Sequence, residues 1–323
     1  MKIKIKRVII LNIVRFFNAY KIKELILLFE NCKFTTSSQK RPMLISVVDG
    51  KRSSQGLTDR FKGIISMYAL SKATNTLYRI VYTHPFHLTE FLIPNTFNWL
   101  PQENELSDSV RDVRYRILRK NPRVNKMLRY FPLKKQYRVY GNYDYIEQIN
   151  LKFDKNYTFN GLFNELFKPT KLLENELNYH LEKIGKKYIA CTFRFQSLLG
   201  DFKEYHFKSI TAEKQKQLID TCKNALIKLI ESNDCTVLVT SDSIRFLTEI
   251  SALKSVYIIP GKVVHVDCTT GETNNVYMKS FVDFFMIGNA EKVFIIGTKQ
   301  MYATQFPVYA AALFNKPFER IRC

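Results

Sequence analysis

Acidic side chains are in short supply: 29 Asp and Glu stand against 50 Lys and Arg, a formal net charge of +21 over 323 residues. An excess of that size favours an anionic partner: nucleic acid, an anionic membrane face, a nucleotide or an acidic polysaccharide. Long apolar runs are also lacking. The opening MKIKIKRVIILNIVRFFNAYKIKELILLFENC is interrupted by Arg15, Lys21 and Lys23. It offers no stretch of about 20 apolar residues to span a bilayer, and no small-residue cleavage site. Its basic and apolar residues fit either an interfacial helix on an anionic leaflet or a first element packed on the core. The six cysteines have no CxxC spacing and no histidine partners, which excludes a disulfide framework and a zinc site. Cys191 reads as a small hydrophobe inside a strand, and a reducing cytosol is the compartment expected. His84 and His87 stand three apart with no third ligand nearby, against a metal centre. Neither GxGxxG nor a Walker loop is present, nor are the strand-borne aromatics of RNA-recognition domains.

What is present is enough apolar sequence, 46% of residues, for two cores of ordinary size. A strand over 43–48 runs into the loop 49–56. A helix then opens at Leu57, with Leu57, Phe61, Ile64, Ile65, Tyr68 and Ala69 at spacings of three and four, and Thr58 or Ser54 as cap. A strand over 77–83 completes a βαβ crossover. Lys51, Arg52, Asp59 and Arg60 stand where the rim of a cleft would be, although Asp59–Arg60 also reads as a helix-start charge pair. Residues 85–110 are irregular, and Trp99 there suits an acceptor surface or plain packing. Residues 111–138 hold eleven Lys and Arg against the single Asp112 and read as a basic helical hairpin broken at Pro122. A domain change is expected between 140 and 185. Beyond it strands over 188–195, 236–240, 255–259 and 292–296 alternate with helices over 211–231, 243–250 and 276–287, before a final helix that stops ahead of Pro317. That alternation predicts a doubly wound, largely parallel α/β domain.

The polar residues that follow these strands are Arg194, Ser241–Asp242–Ser243, His265–Asp267, and Tyr302 with Thr304 and Gln305. Open parallel sheets gather such residues at one crevice outside their carboxyl ends. A guanidinium there can hold a diphosphate and neutralise charge on a leaving group. Hydroxyl and N–H groups at the start of the last helix suit a second phosphate. A buried acid such as Asp283 can accept from a nucleobase N–H edge. The plainer alternative for Arg194 is a salt bridge at a strand end.

In order along the chain, SQGLTDRFKGIISMYALSKATN, TFRFQSLLGDF, VTSDS and KSFVDFFMIGNAEKVFIIGTKQMYATQF resemble motifs of the fucosyltransferase superfamily. That superfamily takes in α-1,6, nodulation, α-1,2 and protein O-fucosyltransferases, and the likeness is greatest to small bacterial members that build surface polysaccharide such as capsule or lipopolysaccharide. It covers about 43–83 and 187–317. The resemblance implies a GT-B-like α/β fold, two Rossmann-like domains facing across a cleft. Residues 1–165 would form the acceptor side with a basic helical insertion, and 166–323 the nucleotide-sugar side. It implies an inverting transfer of fucose from GDP-fucose to an oligosaccharide or lipid-linked glycan, without metal or other cofactor, and the DxD metal motif of the other major glycosyltransferase architecture is missing. Arg194 would bind the β-phosphate and assist its departure, Asp283 would read guanine, and Thr304 would contact phosphate. Asp242 and Ser243 would line the donor pocket with Thr192, Tyr302 and Gln305 nearby, and Asp59 or Glu272 would be the general base. Thr192 stands where the family carries a histidine, which leaves the donor sugar open, and Thr58 stands where the family carries a second glycine. A cytoplasmic enzyme, peripheral on the inner face of the cytoplasmic membrane and not bound to nucleic acid, is the expectation. The alternatives are a GT-B transferase with another nucleotide sugar and a non-catalytic polyanion-binding protein.

Overall fold

The computed structural model describes residues 19–38, 40–52, 55–118, 135–201, 209–263, 266 and 274–323. His265, Asp267, Glu272, Ser54 and the middle of the basic run lie outside them. In chain order the elements are α1 (Ala19–Asn31), β1 (Met43–Val48), α2 (Leu57–Ala73), β2 (Leu77–Tyr82), β3 (Leu92–Pro94), β4 (Val113–Ile117), β5 (Gln136–Tyr140) and α3 (Ile146–Phe153). There follow α4 (Phe159–Leu166), β6 (Phe167–Pro169), α5 (Lys171–Ile184), β7 (Tyr188–Phe193), α6 (Ala212–Glu231), β8 (Thr236–Ser241) and α7 (Ile244–Ile250). The chain ends with β9 (Val256–Tyr257), α8 (Asn274–Asn289), β10 (Val293–Gly297), α9 (Phe306–Leu313) and β11 (Phe318–Arg322). They form two compact units, one of residues 1–54, 59–84 and 97–158, the other of 55–58, 85–96 and 159–323.

The first unit is a parallel sheet in the order β2-β1-β5-β4. Alternate residues of β1 serve its two faces: Met43, Ile45 and Val47 join Leu27, Leu28 and Cys32 around α1. On the other face the Ser46 hydroxyl meets the Tyr78 hydroxyl at 2.7 Å, and Tyr78 donates to the Ile64 carbonyl of α2 at 2.8 Å. Helix α2 lies close because residue 63 is glycine; a Cβ there would stand 1.8 Å from the Gly141 carbonyl oxygen. The expected cap at Thr58 is not formed, since Thr58 lies inside the first turn of the helix. Trp99 is buried, so packing is its role.

The basic segment corrects the sequence reading. Both of its described ends are strands, β4 and β5, paired parallel over Val113–Ile117 and Gln136–Tyr140. Val113 and Tyr115 turn inward while Arg114 and Arg116 stay partly exposed, the two-residue period of a strand rather than a helical stripe. The arginines keep their charge at the surface and lay their apolar stems on neighbours; Arg116 stacks over the Tyr137 ring and pairs with Glu24 of α1.

The second unit holds a parallel sheet ordered β11-β10-β7-β8-β9 and a small antiparallel pair, β3 with β6. β7 is buried at every residue, as a strand covered on both faces must be. On one face Cys191, Phe193 and Phe195 pack with Leu218, Cys222 and Leu226 of α6 and Phe246 of α7. Burial pushes the Cys191 thiol well above its ordinary range, consistent with a packing role. On the other face lies α8, whose Met286 carbonyl accepts from the Tyr188 hydroxyl at 2.6 Å. β11 is an edge strand that the sequence pattern did not announce, because Phe318–Arg322 carries three charges in five residues. Among the described residues no helix is long and apolar enough to cross a membrane.

Candidate functional site

From β7 the chain steps outward through β8 to β9, then returns to place β10 and β11 on the opposite side of β7. The order therefore reverses between β7 and β10. In open parallel sheets that switch point opens a crevice at the carboxyl ends of the two strands. Arg194 is the first residue beyond β7, and its carbonyl accepts the N–H of Tyr302, from the loop after β10, at 3.3 Å. Two of the expected site residues thus meet where the topology puts a ligand.

The turn after β7 is built around Asp242. Its carboxylate accepts the Phe195 and Gln196 N–H groups at 2.8 and 2.6 Å and lies 3.0 Å from Arg194 Nη1. Gln196 takes a left-handed conformation (φ 55°), and Phe195 plugs the turn into the core against Phe246. The Asp242 side chain is 1% exposed and that of Arg194 17%. Asp242 therefore does not line a pocket directly; it aims the guanidinium, whose outer edge stays at the surface. Burial pushes the Asp242 carboxyl above its ordinary range, against the opposing pull of Arg194 and the two N–H groups.

Ser243 is likewise structural. Its hydroxyl caps α7 by accepting the Phe246 N–H at 3.1 Å and donates to Asp201 at 2.8 Å. Asp201 also accepts the Arg245 N–H at 2.9 Å, so it fastens the far end of the same loop. Nothing in the sequence singled out Asp201 beyond its place after Gly200 in a turn. Thr192, inside β7, sits opposite Thr240 of β8, and the two buried hydroxyls bond at 2.8 Å. It contributes register rather than a free hydroxyl at the crevice.

After β10, Thr304 Oγ1 accepts the Phe306 N–H at 3.2 Å and so shapes the entry to α9. Gln305 occupies the cap position without using its side chain there, and Tyr302 and Gln305 are exposed. Beside them a cavity of about 190 Å³ is lined by Thr298, Lys299, Tyr302, Arg320 and Arg322 together with residues of β10. Its cations suit an anionic group. Arg320 and Arg322 went unnoticed because β11 did.

Asp283 belongs to a separate polar group on α8. Both of its carboxylate oxygens lie 3.0 Å from Lys279 Nζ. Nearby, His180 Nδ1 of α5 meets the Tyr257 hydroxyl at 2.7 Å, with Nε2 3.3 Å from Glu176. Burial pushes Asp283 up and Lys279 pulls it down. In the first unit Asp59 pairs with Lys62 at 2.5 Å across one turn of α2. The helix-start charge pair is realised, with Lys62 rather than Arg60 as partner. Among the described residues no group of three His, Cys, Asp or Glu side chains could hold a metal ion.

Comparison with solved structures gives a consistent relative. A mutant of FUT1 from Arabidopsis thaliana in complex with GDP superposes with a TM-score of 0.57 at 13% identity, over 94% of this chain and 79% of that one. NodZ α-1,6-fucosyltransferase co-crystallised with GDP gives 0.52 at 12% identity, over 84% of this chain and 92% of that one. The fold is GT-B-like, as in these two structures. No protein-family model matches the sequence, and no curated protein matches it significantly.

Proposed function

We propose that this chain is a metal-independent, inverting glycosyltransferase that moves fucose from GDP-fucose to an oligosaccharide or lipid-linked glycan. In this reading the first unit serves the acceptor and the second binds the nucleotide sugar. The observation that carries it is Arg194, a buried-anchored cation at the switch point of the second sheet, aimed by Asp242 and joined by the Tyr302–Thr304 loop. As the bond from the anomeric carbon to the β-phosphate oxygen breaks, negative charge grows on the diphosphate. A cation already oriented needs no reorganisation to meet it. The fold shared with two GDP-complexed fucosyltransferases supports the nucleotide.

Titration calorimetry with GDP and GDP-fucose tests the reading. Wild type should bind both, and Arg194→Ala should lose about 2–5 kcal/mol of affinity, the cost of removing one partner of a charge-assisted contact. Asp242→Asn, which unlocks the guanidinium without deleting it, should weaken binding less but measurably. No binding by wild type, or equal binding by Arg194→Ala, would sink the proposal. Two observations favour a second reading, another nucleotide sugar: Thr192 is spent on Thr240, and Asp283 is already paired with Lys279. A donor panel with Mg²⁺ and with EDTA separates the two, and activity lost in EDTA counts against the metal-free route.

A further inference from the structure

The proposed transfer makes no use of the cavity at the carboxyl ends of β10 and β11. Every residue that lines it belongs to the second unit. β11 runs parallel to β10, with Arg320 beside Ile295 and Arg322 beside Gly297. Side chains two apart on a strand share a face and stand about 7 Å from each other, close enough for two guanidinium groups to close on one small anion. Ile321, between them, packs instead against the core that α6 covers. Gly297 puts no side chain into the space beside Arg322. Lys299 and Thr298 come from the turn after β10. Thr298 Oγ1 accepts the Gln300 N–H at 3.3 Å and keeps its own proton to donate.

Guarding an exposed sheet edge is the plainer use of charge on β11. Glu319 fits that use, paired with Lys292 at 2.6 Å. The three cations at the cavity do not. Among the described residues the side chains of Lys299, Arg320 and Arg322 make no ion pair or hydrogen bond, and no carboxylate lines the cavity. Cations that share a recess without a counter-charge repel one another, and a bound anion relieves the repulsion. Guanidinium groups hold phosphate in bidentate fashion. The volume of about 190 Å³ lies below the roughly 300 Å³ at which pockets for drug-sized ligands begin, so the cavity fits a small anion.

We propose that this cavity is a second anion site, separate from Arg194, that takes a phosphoryl group: free phosphate or pyrophosphate, or the headgroup of an anionic lipid. Arg320 and Arg322 grip the group from β11, and Lys299 and the Thr298 hydroxyl close on it from the turn. Arg194 is not among the lining residues, and the site stands whether or not Arg194 holds a nucleotide.

The test uses the full chain carrying Arg194→Ala, so that pyrophosphate finds no clamp at the switch point, in salt of about 0.15 M to screen diffuse attraction. By calorimetry, adding Arg320→Gln or Arg322→Gln should weaken pyrophosphate binding about 10–100-fold, the loss of a charge-assisted hydrogen bond. Lys214→Gln, an equal loss of charge at an exposed position of α6 outside the cavity, should leave it unchanged. Lys299 gives a second readout without any substitution. Its acylation by acetic anhydride, followed by mass spectrometry, should slow when the site is filled, while that of Lys214 should not. Pyrophosphate binding lost in the arginine variants identifies the free anion. Lys299 protection by phosphatidic acid vesicles alone, absent with phosphatidylcholine and lost in the arginine variants, identifies the headgroup. Lys299 protected by neither probe, protection or binding that survives both arginine changes, or a loss shared equally by Lys214→Gln overturns the site.

Discussion

At the scale of single residues, buried titratable groups make the two units acid-sensitive in different windows. Burial holds the His180 imidazole below the ordinary histidine range, against the upward pull of Glu176. A histidine depressed in the folded state lends stability above its unfolded pKa of about 6.5, and loses it as pH falls through the lower folded value. Asp112 works lower. Burial alone would raise it, but hydrogen bonds from Ser37, Ser38 and Ser107 hold the carboxyl far below the ordinary range. Its stabilisation is present above about 3.9 and is lost on further acidification. Thermal melting should therefore fall between pH 7 and 5, and His180→Gln should flatten that limb while the limb below pH 4 remains. Equal slopes in the variant and wild type between pH 7 and 5 would rule His180 out. Arg194, Asp242 and Thr304 were legible as polar residues after strands. The pairing of Arg194 with Asp242 was not, because a contact between turns of different strands leaves no spacing in the sequence. Asp242 and Ser243 carry the polarity of binding residues, but Asp242 spends it on Arg194 and the backbone of the turn after β7, and Ser243 on the cap of α7 and on Asp201.

Elements were read well where apolar runs were long and poorly where charge interrupted them. β1, β7, α6 and the start of α2 fell within a residue or two of expectation because continuous or helically spaced apolar residues define them. β4 and β5 were read as helix since their arginines dominate, although Val113 and Tyr115 alternate with Arg114 and Arg116. β11 was missed for the same reason. The helix–strand contact at Gly63 shows what pattern alone leaves out: nothing in GIISMY says that backbone must pass within reach of Gly141. Gly63→Ala should destabilise the first unit by about 1–3 kcal/mol through overpacking, despite the better helix propensity of alanine. Urea denaturation followed by circular dichroism checks this. A stabilised Gly63→Ala would mean that α2 can shift away from the sheet at little cost.

For the whole molecule, the α/β class was legible because strands and helices alternate through the second sheet and across β1, α2 and β2, a pattern that parallel crossovers impose. Its charge points to a further property. With +21 formal charges, the chain is drawn to anionic surfaces at low salt, yet charge alone gives binding that salt abolishes. In a membrane contact, helix α1 would supply the apolar component: Leu25, Ile26 and Phe29 are 43–53% exposed, and Phe29 stacks on the still more exposed Phe34. Lys21, Lys23 and Lys33 lie alongside them. An interfacial face of this kind binds by burying its hydrophobes among headgroups while its cations meet anionic lipid. A peripheral enzyme using a lipid-linked acceptor would gain by it. The expected outcome is co-sedimentation with phosphatidylglycerol-containing vesicles, weak with pure phosphatidylcholine, and partly retained at high salt. Phe29→Glu should remove the salt-resistant part, since a carboxylate there neither partitions into the interface nor is attracted to the anionic leaflet. Binding that is fully salt-labile in wild type and unchanged in Phe29→Glu would leave only the diffuse attraction of net charge, with no membrane face on α1.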